Sequence, residues 1–120
     1  MPAEETGPLK PMHPRDWRTV DDFLDQVQLR PSSWVAGGSL HRLEVMLIGY
    51  RLALYVHEID EPFDFWHDGP FSEWLWERLG RTSPLGWAAE IEREAGGDME
   101  PLDLFFRFLD EYRAWRRTSV

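Results

Sequence analysis

The stretch SLHRLEVMLIGYRLALYVH, residues 39–57, decides the fold. Read at helical spacing, Leu40, Leu43, Met46, Leu47, Tyr50 and Leu54 form one apolar stripe. Val45, Ile48, Leu52, Tyr55 and Val56 put further apolar groups on the other faces, a pattern expected of a helix at the centre of a bundle. Ser39 is its expected N-cap. A strand over LALYV is the competing reading, because short apolar runs suit either conformation. Arg51 interrupts the run, which is also too short to span a bilayer.

Helical punctuation extends outward from this segment on both sides. Upstream, Trp17, Val20, Phe23, Leu24 and Val27 predict a helix from Asp16 to about Gln28, stopped at Arg30-Pro31. LRPSSWVAGG then reads as a loop. Downstream, Gly69-Pro70 opens a helix that Gly80 closes. Ser83-Pro84 starts another, with Trp87, Ala88, Ile91 and Ala95 inward, ending at Gly96-Gly97. The last begins near Asp98 or Glu100 and carries two apolar stripes: Leu102, Phe105, Phe106, Leu109 and Tyr112, then Leu104, Phe108 and Trp115. The expectation is an all-α, single-domain bundle of about five helices. Residues 1–14, rich in proline, read as a flexible arm ahead of a domain over 15–120. The second stripe on the last helix suggests a homodimer through Leu104, Phe108 and Trp115.

The chain has 120 residues, the size of one domain, and its 42% hydrophobic content suits a globular core. Twenty-two acidic against thirteen basic residues give a formal charge of −9, which disfavours nucleic acid and favours basic or cationic partners. No cysteine is present, so disulfides, thiolate metal sites and cysteine nucleophiles are ruled out. With no signal-like apolar run at the N-terminus, a soluble cytoplasmic protein is expected.

The segment HEIDEPFDFWHDG, residues 57–69, holds two histidines, five carboxylates and three large aromatics. Two chemistries fit it. Aromatic anchors ringed by like charge suit docking of a basic protein, with Asp60, Glu61, Asp64 and Asp68 steering and Phe65, Trp66 and Trp76 anchoring. Alternatively His57, Glu61 and His67 supply ligand types proper to a small metal-dependent enzyme, although no HExxH or DxDxDG spacing supports it. The plainer alternatives are a helix-capping His57, a solvated His67 and a connector pinning its rings onto its own core. AGGS before a helix lacks the spacing of a phosphate loop, and there is no GxSxG. A third possibility is a small-molecule pocket lined by Trp34 and Trp87. No cofactor is implied.

The pattern W-x5-FL, then RPSSWVAGGSLHRLE, GYRLAL, GWAAEIERE and FFRFLDEYR, is similar to small, uncharacterised bacterial single-domain proteins. More distantly, the chain resembles toxin-neutralising immunity proteins. That resemblance implies a non-enzymatic, inhibitory binding role, and it assigns no site residues.

Overall fold

A computed structural model describes residues 9–118. Among the described residues there are six α-helices and no strand. They are α1 (Val20–Leu29), α2 (Pro31–Trp34), α3 (Leu40–Val56), α4 (Pro70–Leu79), α5 (Trp87–Ala95) and α6 (Pro101–Thr118). Short 3-10 turns cover Pro14–Asp16 and Ala36–Gly38. The competing strand over LALYV does not form.

Local chemistry sets each boundary. Helix α1 starts at Val20, later than Asp16, because Thr19 and Asp22 form a capping box. The Thr19 hydroxyl accepts from the Asp21 N–H at 3.3 Å, and the Asp22 carboxylate accepts from the Thr19 N–H at 3.3 Å and from the Arg18 N–H at 2.7 Å. Proline at the first helical position starts α2 directly after Arg30, so part of the expected loop is a helical turn. Ser39 caps α3 as expected, its hydroxyl accepting from the Arg42 N–H at 3.2 Å. Gly80, left-handed at φ 75°, closes α4. Helix α5 begins at Trp87 after Gly86 at φ 95°, leaving Ser83-Pro84 in the preceding turn.

Residues 1–8 of the expected arm lie outside the described residues. The stretch just after them is held against α1 by Gln26, itself buried: its side-chain amide donates to the Lys10 carbonyl at 2.9 Å and accepts from the Met12 N–H at 3.0 Å.

The core gathers one face from each long helix, with Phe71 of α4 near its middle. Phe71 lies 5.4 Å from Tyr112, 5.5 Å from Phe65, 5.7 Å from Trp87 and 5.8 Å from Phe105, centroid to centroid. The pairs with Tyr112, Trp87 and Phe105 are edge-to-face, an arrangement that adds about 0.5–1.5 kcal/mol each beyond the area buried. Both stripes of α6 are used: Leu104 and Phe108 are buried with Phe105 and Leu109. The expected dimer contact through Leu104, Phe108 and Trp115 therefore loses two members to the chain's own core, leaving Trp115 at the surface.

Helix α3 departs furthest from expectation. It buries only Leu40, Leu43, Leu47 and Leu54, with Tyr50 half-buried, and packs against α5 and α6 on that side. Val45, Ile48, Leu52, Tyr55 and Val56 are 43–73% exposed. An apolar surround in the sequence does not require burial all round, because the five remaining helices cover only one side of this one.

Candidate functional site

The connector between α3 and α4 folds inward on itself. Glu58 takes a left-handed turn at φ 52°, and the Phe71 N–H donates to the Asp64 carbonyl at 3.1 Å. Gly69 is required there, since a Cβ would come within 2.8 Å of that same carbonyl oxygen. This arrangement places Phe63 and Phe65 under the connector and sorts its acids into two groups.

The first group belongs to the fold. Glu61 accepts from the Val20 N–H at 2.8 Å, satisfying a free donor at the start of α1, and from the Tyr50 hydroxyl at 2.8 Å. Burial first, then that carboxylate, push the Tyr50 hydroxyl well above its ordinary value. Asp64 accepts from the Tyr112 hydroxyl at 2.6 Å and pairs with Arg116. Phe65 is buried, and its carbonyl accepts from the Trp87 indole N–H at 3.2 Å. Glu61, Asp64 and Phe65 are thus corrected from docking residues to tertiary braces: the chain's own tyrosines, arginine and indole occupy them.

The second group is exposed. It comprises Glu58, Asp60 and Asp68; beside them Trp66 is also exposed, and its ring carries the Arg51 guanidinium at 5.5 Å from its centroid. Trp76 is partly buried against the core. His57 ends α3, and His67 approaches Asp68 at 3.9 Å. Among the described residues, no group of three or more His, Asp and Glu side chains is placed to hold a metal ion. The set His57, Glu61 and His67 is not brought together as one, and the Glu61 carboxylate is already engaged. Trp34 packs on Trp17 at 5.3 Å while Trp87 is buried in the core, so the two do not line a common opening.

A different groove has the stronger chemistry. Between α4 and α6 lies an open concavity of about 680 Å³ walled by Pro70, Glu73, Trp74, Glu77, Arg78 and Trp115. Glu73 and Glu77 are four apart on α4, so they share one face beside Trp74. Among the described residues neither carboxylate has an ion-pair partner within 4 Å. Arg78, the one cation in the wall, is held by Glu111 at 2.8 Å with its guanidinium over the Phe108 ring. Trp74 is fixed by Phe71, Phe108 and Tyr112 at 5.7–6.2 Å, and Trp115 stacks on Tyr112 at 6.1 Å while keeping half its surface exposed. The groove therefore offers two fixed indole surfaces beside two unneutralised carboxylates, a setting that attracts a guanidinium or ammonium group.

The sequence places Trp115 in an expected dimer contact and singles out neither Trp74 nor the pair Glu73 and Glu77. The i,i+4 spacing of the two glutamates around Trp74 was the available signal. Pairing that face with Trp115, forty-one residues later, required the tertiary fold.

Comparison with protein-family models, curated proteins and solved structures gives no match. No helix among the described residues is long and apolar enough to cross a membrane.

Proposed function

We propose that this chain is a non-enzymatic, acidic binding protein of the inhibitory kind, acting in the cytoplasm, whose partner is a basic protein. The groove between α4 and α6 is the docking site in this reading. Trp74 and Trp115 supply contact area and a cation–π surface, and Glu73 and Glu77 supply charge, for an Arg or Lys side chain presented by the partner. The carrying observation is that Glu73 and Glu77 stand unpaired beside two tryptophans whose positions the core already fixes. A preformed aromatic wall loses little side-chain freedom when the partner arrives. The −9 charge steers association from a distance. Asp60 and Asp68 contribute to that field without direct contact.

An arginine-rich peptide titrated against the tryptophan fluorescence of the intact chain tests this reading. Binding should weaken as salt is raised, and Glu73→Lys with Glu77→Lys should lower affinity at least tenfold, while Asp60→Lys with Asp68→Lys changes it about threefold or less. Equal losses from the two pairs would show that only the overall charge matters and would remove the groove.

A further inference from the structure

The exposed face of α3 has its own pattern, separate from the acidic groove and sharing no residue with it. Val45, Ile48, Leu52 and Tyr55 recur at alternating steps of three and four, the spacing of a seam where one helix lies along another. Val56 and, past the helix end, Ile59 enlarge the patch, and each of these six is 43–73% exposed. Six exposed apolar side chains on one face make a contiguous patch of the kind that marks an interaction surface on a monomer.

Gly49 lies within this face. A glycine in a helix interior is destabilising, so its presence calls for a local cause. The fold supplies none, because a Cβ at Gly49 would meet nothing within 4 Å. What a missing side chain permits at that point is the close approach of another backbone.

Charge identifies the occupant. Away from α3 the chain is strongly acidic, so two copies repel each other over most of their surfaces. Within α3 itself, Arg42 and Arg51 stand against the single acid Glu44, so this face lacks the excess negative charge of the rest. The signs are also divided by position: exposed Arg42 stands near the start of the helix, with exposed Glu58 and Asp60 beyond its end. Crossed antiparallel about Tyr50, two α3 helices bring Val45 opposite Tyr55 of the second copy and Ile48 opposite Leu52. The same crossing sets the Arg42 end of each beside the Glu58 end of the other. A parallel crossing places like charge against like.

We infer that the exposed face of α3 is a self-association surface, on which a second copy of this chain docks antiparallel with Gly49 near the crossing. One helix from each copy makes a small interface, so the dimer is weak and concentration-dependent. It would present two acidic grooves at once.

Sedimentation of the full chain over a concentration series tests this. The mass should rise from 14.2 kDa toward twice that value. Leu52→Glu should stay monomeric at every concentration with an unchanged far-ultraviolet circular dichroism spectrum, since Leu52 is outside the core. Gly49→Leu, which fills the crossing point without adding charge, should weaken dimerisation at least tenfold. Orientation is read by cysteine coupling, which the cysteine-free sequence makes clean. A mixture of Val45→Cys and Tyr55→Cys chains should give a covalent heterodimer under mild oxidation, and neither variant alone should couple. A wild-type chain that stays monomeric throughout would overturn the inference and leave the face to a different protein. A dimer insensitive to both Leu52→Glu and Gly49→Leu, or coupling by Val45→Cys alone, would overturn it as well.

Discussion

The Tyr50 hydroxyl donates to the Glu61 carboxylate at 2.8 Å, joining the middle of α3 to the connector that leaves its end. The same carboxylate oxygen accepts from the Val20 N–H, so one acid fastens α1, α3 and the connector at a single point. A residue expected to meet a partner instead closes the fold.

Glu61→Ala is predicted to destabilise the chain by roughly 1–3 kcal/mol, because it strands two donors, and Tyr50→Phe by about 1 kcal/mol. The double variant should cost less than the sum. Urea unfolding of the four chains measures this coupling, and strict additivity would contradict a shared bond. The Tyr50 hydroxyl is raised in the fold above its ordinary value of 10.0. Its contribution is therefore complete below pH 10 and is lost as pH climbs beyond that, so the Tyr50→Phe chain should lose less stability than the wild type on going alkaline.

At the acid end, Glu90 is the informative group. Its side chain is buried in α5, and a hydrogen bond from Ser83, followed by the Arg81 guanidinium at 2.9 Å, lowers its pKa below the ordinary glutamate value of 4.5. A depressed carboxylate stabilises the fold above its unfolded value, and that contribution is lost as pH falls from 4.5 through the lower folded value. The wild type should therefore have a steeper fall in urea midpoint than Glu90→Gln across that window. Parallel pH profiles would show that Glu90 is not differentially held.

Two neighbouring aromatics in the connector separate core from surface. Phe65→Ala should cost about 3–5 kcal/mol, as a buried ring leaves a cavity among Phe63, Phe71 and Phe105. Trp66→Ala, which removes an outward ring and its contact with Arg51, should cost about 1 kcal/mol or less. Thermal unfolding of both variants checks the contrast, and similar losses would refute the inward turn of the connector.

The helices were legible because their signals are local. Ser39, Gly80 and Gly96 act on the residues beside them, and the stripes of α5 and α6 follow from helical periodicity alone. Helix α1 starts downstream of the expected Asp16 because the Thr19 and Asp22 capping box overrides the apolar spacing that Trp17 extends upstream. The connector could not be read in the same way. Its acids are alike in sequence, yet Tyr50 and the start of α1 claim Glu61, Tyr112 and Arg116 claim Asp64, and Asp60 and Asp68 are left outside.

An all-α chain without cysteine, strongly acidic and rich in aromatics, is determined by the sequence alone, since composition and short-range spacing are properties of neighbours along the backbone. Which carboxylates are consumed, which face of α3 stays bare, and that Trp74 meets Trp115 across a groove were decided only by the tertiary structure. Those outcomes depend on which distant side chains compete for the same donor or the same buried space, and linear spacing carries no term for that competition.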